Sequence, residues 1–188
     1  MASDVRKAMV RSAVTLFRER GIAGTSLADI IEHSGAPRGS IYHHFPGGKN
    51  QIAAEATAWA GELMNRMIGK FGDDPIALTH ALFEFWRGEL TKNFQTSCPI
   101  VAAALGAAES AGAYQAAGDV FGKWTRTIAD SLVKRGVSAE RAASAATLLI
   151  SASAGATVLA RAQQHTQALD QVEREMTRML GHLLVDSA

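Results

Sequence analysis

Between Arg38 and Lys49 the chain concentrates hydrogen-bond donors: Arg38, Ser40, Tyr42, His43 and His44, with Gly39 among them and Lys49 closing the run. A guanidinium can grip a phosphate or a base edge through two bonds at once, and a glycine lets the backbone come close. Donors in this density suit a groove flanked by phosphates. Catalytic readings of the same residues fail. Gly47-Gly48-Lys49 lacks the earlier glycine and the following Ser or Thr of a phosphate loop, and the chain contains neither HExxH nor a nucleophile elbow. His43 and His44 are adjacent, so on a helix their side chains point about 100° apart, too far to share a metal ion. No enzyme activity, cofactor or metal is expected.

The elements that must position this run are two short helices. Leu27, Ile30 and Ile31 share a helical face, Ser34-Gly35-Ala36 breaks it, and Pro37 opens a second helix in which Ile41 and Phe45 are four apart. Thr25 and Ser26 offer capping hydroxyls, with Asp29 placed to return the bond to Ser26 as a capping box. Gly35 suits a left-handed turn. Ile41 and Phe45 are expected in the core rather than against a ligand. Ahead of them, about Asp4 to Arg20, a helix presents Met9, Ala13, Leu16 and Phe17 as one stripe and ends at Gly21.

The rest of the chain reads as helix throughout, giving an all-α protein with no convincing strand. A connector from Lys49 to Phe71 precedes Gly72-Asp73-Asp74-Pro75, where a hinge is expected. Helices follow over about 76–93, 99–109, 113–135, 138–164 and 168–184. The segment 142–160 has no charge and is long enough to span a membrane, but Ala, Ser, Thr and Gly dominate it, so it is expected to be a helix buried on most sides by protein. The final helix sets Leu169, Val172, Met176, Met179 or Leu180, and Leu183 in a seam suited to another helix.

Charge and cysteine bound the remaining classes. Residues 1–50 hold seven Lys or Arg against four Asp or Glu, and the remainder twelve against fourteen, so the modest positive excess accompanies the two short helices. Cys98 is the only cysteine, which excludes an intramolecular disulfide and fits a reducing cytoplasm; the charged N-terminus does not read as a signal peptide.

Taken together, Phe17-Arg-Glu-Arg-Gly21, Thr25-Ser26-Leu27-Ala28-Asp29-Ile30-Ile31, Gly35, and Arg38-Gly39-Ser40-Ile41-Tyr42-His43-His44-Phe45 with Lys49 resemble the tetracycline-repressor (TetR) family of bacterial transcription regulators. Two departures stand out: Pro37 replaces a frequent capping Ser or Thr, and Pro46-Gly47-Gly48 replaces a polar cap before Lys49. The resemblance implies a helix-turn-helix DNA-binding domain over 1–48 and a connector with a ligand-binding and dimerisation domain over 49–188. It further implies a homodimer through the last two helices, acting as a repressor on a pseudo-palindromic double-stranded DNA operator and released by a small-molecule effector, with no membrane partner.

Residue by residue, the resemblance assigns DNA contact to Thr25, Ser26, Arg38, Gly39, Ser40, Tyr42, His43, His44 and Lys49. Structural alternatives stand beside three of them: Tyr42 packing on the turn, His44 bonding internally, and Thr25 acting only as a cap. The aromatic set of the larger domain reads as core or, as the resemblance implies, as the wall of an effector cavity lined by Phe83, Trp86, Phe94, Cys98, Tyr114, Phe121 and Trp124, and the few charges on these helices favour a hydrophobic or aromatic effector. The Ser97-Cys98-Pro99 opening with its following Val-Ala-Ala-Ala resembles the lincomycin-resistance-repressor branch, whose members tend to control drug efflux. Two alternatives remain: a redox-sensing repressor using Cys98, because a thiol at a helix start can have a lowered pKa, and a DNA-binding protein that needs no ligand.

Overall fold

The computed structural model describes residues 2–71 and 74–185. It is helical: α1 (Ala2–Arg20), α2 (Leu27–Ser34), α3 (Ser40–His44), α4 (Gly48–Phe71), α5 (Pro75–Lys92), α6 (Pro99–Leu105), α7 (Ala111–Lys134), α8 (Ala139–Gln163) and α9 (Gln167–Val185). No strand occurs among the described residues. Gly72 and Asp73 of the expected hinge lie outside the described residues; Asp74 caps α5, accepting from the backbone of Ile76 and Ala77, both at 3.0 Å. The contacts divide the chain into two compact units, one reaching Leu63 and resuming over Cys98–Phe121, the other holding Met64–Ser97 and everything from Gly122 onward. Both α4 and α7 contribute to each unit.

The first unit is assembled on α1. Met9, Ala13, Leu16 and Phe17 are buried, as their spacing dictates, and Gly21 ends the helix with a left-handed φ of 73°. Ile30 of α2, Ile41 and Phe45 at α3, and Ile52, Ala53 and Ala56 of α4 close the core, with Ile100 and Ala103 of α6 behind them. Ile41 and Phe45 are fully buried. Each such side chain contributes about 1.5–3 kcal/mol by leaving water, which is what holds a helix as short as α3 in place.

In the second unit α5, α8 and α9 pack on one another. Leu78, Leu82, Phe83, Trp86 and Leu90 of α5 are buried, as are Leu169, Met176, Leu180 and Leu183 of α9. Leu180, rather than Met179, takes the fully buried position of the α9 seam. Arg87 ties the two helices: its Nε donates to Asp170 at 3.0 Å, it pairs with Glu173 and Glu84, and Glu173 also meets His80 Nδ1 at 2.6 Å.

The expectation for α8 needs correction. Its buried stripe, Ala142, Ala145, Ala146, Leu149, Ser153, Ala156, Thr157 and Ala160, covers only one side. Leu148, Val158 and Leu159 are about half exposed, and Ser151 and Gly155 lie open beside them. The helix's central stretch is long and apolar enough to cross a membrane by length and composition alone. Its hydroxyls explain how so many Ser and Thr fit: Thr157 donates to the Ser153 carbonyl at 2.8 Å and Thr147 to that of Ala143 at 2.9 Å.

Candidate nucleic-acid interface

The first short helix begins as its sequence dictates. Ser26 has an extended backbone and caps α2; its hydroxyl accepts from the Asp29 amide at 3.1 Å, and the Asp29 carboxylate accepts from the Ser26 amide at 2.7 Å. The Ser26 hydroxyl hydrogen bond to Asp29, followed by that of its amide, holds the Asp29 carboxyl below its usual range. Thr25 is placed differently: it is 1% exposed and its hydroxyl is donated inward to the Gly21 carbonyl at 2.9 Å. Of the two capping candidates, only Ser26 therefore presents its polar groups at the surface.

Gly35 ends α2 with φ 67°, and the amides of Gly35 and Ala36 return to the Glu32 and Ile31 carbonyls. The second helix starts later than the Pro37 signal predicts. Pro37, Arg38 and Gly39 form a tight turn in which the Ser40 amide donates to the Pro37 carbonyl at 2.9 Å and the Ser40 hydroxyl to the same oxygen at 2.6 Å. Proline fits a first turn, yet the regular helix runs only over Ser40–His44, following this turn.

The outward side of this turn and helix carries the expected donors. Arg38, Gly39 and His43 are exposed, and Tyr42 is 66% exposed, so it does not pack on the turn. Ser40, His44 and Lys49 are half-buried. His44 sits edge-on to Phe45 with ring centroids 6.5 Å apart and to His43 at 5.3 Å, which orients it from both sides. Lys49 lies in the first turn of α4, just after Gly48 at φ 60°. Inward-facing Ile41 and Phe45 thus anchor a helix whose free face carries hydrogen-bond donors.

A network invisible to local spacing secures the far end of α3. Arg6 of α1 stands over the Phe45 ring, 4.9 Å from its centre, and donates to Glu55 of α4 at 2.6 Å. Gln51 donates to Glu55 at 3.0 Å and accepts from the Gly47 amide at 2.9 Å. The turn joining α3 to α4 is thereby tied to both α1 and α4. Partners 49 residues apart leave no periodic signal, and Arg6, Gln51 and Glu55 were not among the expected site residues.

The expected effector residues are distributed over both units. Phe83, Trp86 and Trp124 are buried and Phe94 half-buried in the second; Cys98 is buried, Phe121 half-buried and Tyr114 51% exposed in the first. Two open grooves occur elsewhere. One, of about 300 Å³, lies between α1 and α4 against Trp59, and one of about 590 Å³ lies along the Arg87 ion pairs; none of the seven residues lines either. For Cys98 the structure corrects the basis of the redox alternative. Burial pushes its thiol pKa up, outweighing the amides of Val101 and Ile100 at the start of α6, so the reactive thiolate is disfavoured rather than promoted.

Comparison with known proteins agrees with this geometry. Residues 10–56 match the bacterial regulatory proteins of the tetR family, and residues 75–175 match the C-terminal domain of LmrA/YxaF-like transcriptional regulators. An HTH-type transcriptional regulator of Mycobacterium tuberculosis is 37% identical over 182 residues, spanning 93% of each chain. The HTH-type transcriptional regulator LmrA of Bacillus subtilis is 33% identical over 155 residues, covering 78% of this chain and 80% of its own. Among solved structures, the regulatory protein TetR from Rhodobacter sphaeroides superposes with a TM-score of 0.80 at 17% identity, over 92% of this chain and 96% of its own. A TetR regulator from Chloroflexus aurantiacus gives 0.76 at 24% identity, with 96% of each covered. The chain belongs to the TetR family of bacterial helix-turn-helix transcription regulators, with a C-terminal domain of the LmrA/YxaF type.

Proposed function

We propose that this regulator is a cytoplasmic repressor that binds a pseudo-palindromic operator as a homodimer and is released by a small hydrophobic or aromatic effector. Residues 1–48 form the DNA-binding domain in this reading, and 49–188 the connector, effector-binding and dimerisation domain. The observation that carries it is the outward face of the turn and α3, where Arg38, Tyr42 and His43 stand exposed on a helix anchored by fully buried Ile41 and Phe45. Arg38 reads a guanine edge or grips a phosphate; Tyr42, His43 and Ser40 lie along the groove; Ser26, His44 and Lys49 hold backbone phosphates. The exposed apolar face of α8 supports pairing of two subunits through α8 and α9, which would set two recognition helices about 34 Å apart, one turn of B-DNA. An effector with greater affinity for another arrangement of the connector helices weakens operator binding by that difference, typically about 1–3 kcal/mol.

The test is binding of the full chain to the DNA beside its own gene, against a scrambled duplex of equal length at matched salt. Preference of several hundredfold, reduced by about 1–3 kcal/mol in Arg38→Ala, supports a sequence-reading repressor. Equal affinity for every duplex, including fragments selected genome-wide, would leave only a backbone binder.

A further inference from the structure

The first turn of α4 carries a second tether, on the side away from the Arg6–Glu55 pair. Asn50 Oδ1 accepts two hydrogen bonds from the start of α7, one from the Ser110 hydroxyl at 2.7 Å and one from the Gly112 amide at 3.0 Å. Ser110 is buried and its oxygen also accepts from the Ala113 amide at 3.1 Å, capping α7 as it donates to Asn50. The approach leaves no slack: a Cβ on Gly112 would stand 3.2 Å from Asn50 Oδ1 and from Ala54 Cβ. All these groups lie within the first unit.

We propose that Asn50 is a positioning residue for DNA binding. It fixes the start of α4, and with it Lys49 and the turn behind α3, to the Ser110–Gly112 end of the α6–α7 loop. A side chain some sixty residues downstream thus determines how well the recognition helix is pre-set for its groove. Freeing the tether multiplies the orientations available to α3, and affinity falls by the fraction of molecules no longer in the competent one. This rests on the DNA-reading proposal above and names the loop through which operator affinity is adjusted.

The experiment is a double-mutant cycle in operator binding by the full chain, with Asn50→Ala, Ser110→Ala and the pair, each measured over a salt series and checked for native helix content. Ser110→Ala loses one of the two hydrogen bonds to Asn50, which predicts about three- to tenfold weaker operator binding, and Asn50→Ala, which loses both, should bind at least as weakly. The double variant should be no weaker than the weaker single, with the salt slope unchanged because no charge has been removed. Gly112→Ala, which displaces the Asn50 carboxamide without removing it, should reproduce the loss. Wild-type affinity in Ser110→Ala and Gly112→Ala, with weakened binding in Asn50→Ala alone, would make Asn50 a DNA contact and overturn the proposal. Strictly additive losses would also overturn it. Failure of the unaltered protein to prefer any duplex would remove the DNA-reading proposal and this one together, whereas failure confined to the variants removes only this one.

Discussion

Gly61 of α4 and Val120 of α7 meet so closely that a Cβ on Gly61 would lie 2.3 Å from Val120 Cγ2 and 2.7 Å from Cγ1. The two helices cross at a point where one has no side chain and the other has a stiff, β-branched one. Replacing a helical glycine by alanine gains about 1 kcal/mol of propensity. Here the clash should win, because Val120 has no alternative rotamer that withdraws both methyls. Gly61→Ala is expected to lower stability by about 1–3 kcal/mol in denaturant unfolding. Adding Val120→Ala should restore part of it, since the remaining contact is with Cβ at 3.1 Å. A neutral Gly61→Ala would show that α4 and α7 separate freely at this crossing.

The reciprocal cap at Ser26 and Asp29 predicts a pH signature. Asp29 has a folded pKa below its unfolded value, held there by the Ser26 hydroxyl first and its amide second. A depressed carboxyl pKa contributes stability above the unfolded value, near 3.8, and loses it as pH falls through the lower folded value. Asp29→Asn should therefore be less stable than wild type at pH 7, where the carboxylate's contribution is fully present, and should flatten the acid limb below about pH 4 so that the two proteins converge there. Ser26→Ala should cost about 1 kcal/mol at neutral pH, the usual value of an N-cap. Unfolding midpoints followed by circular dichroism from pH 7 to pH 2.5 separate the two effects.

Lys49 and Arg38 should fail in different ways. A lysine that only neutralises a phosphate weakens all duplexes alike, so Lys49→Gln is expected to reduce the slope of log affinity against log salt by about one and leave the preference for operator intact. Arg38→Ala is expected to reduce the preference itself. A Lys49→Gln variant whose loss is confined to one sequence would place Lys49 against a base.

Cys98 should be inert. Its thiol is buried at the start of α6 and its pKa is raised by that burial. Alkylation by iodoacetamide at pH 8 is expected to be far slower in the native protein than in the unfolded chain, with the native rate set by opening of the first unit. Cys98→Ser should leave any response of operator binding to peroxide unchanged. Rapid native alkylation, or a peroxide response that disappears with the thiol, would restore the redox reading.

The helices and the anchored face of α3 were legible in the sequence because their causes are local. Periodic apolar residues mark α1, Ser26 and Asp29 mark the start of α2, and Gly35 marks its end. What escaped was set by competition or distance. Pro37 to Gly39 form a turn closed on the Pro37 carbonyl, so that α3 begins only at Ser40, and the burial that raises the Cys98 pKa outweighs the helix start that would lower it. Arg6–Glu55 and Asn50–Ser110 join residues 49 and 60 positions apart, for which no periodicity exists. Ser110, three residues before Ala113, did carry a readable cap signal, and following it would have marked the start of α7.

The open side of α8 leads to the last prediction. Leu148, Val158 and Leu159 are 49%, 54% and 50% exposed in the single chain, on a helix otherwise rich in alanine and serine. Such a stripe is unfavourable in water unless covered, and Ser151 and Gly155 between the apolar residues allow another helix to approach closely. Val158→Glu and Leu159→Glu would place charges in that contact while exposing nothing new in the subunit's own core, since neither side chain belongs to the buried stripe. Each variant should keep its helix content and thermal cooperativity but sediment as a monomer at micromolar concentration. Operator affinity should then fall steeply, because two half-sites are no longer engaged by one linked molecule. A variant that remains dimeric with unaltered operator affinity would move the subunit contact away from α8.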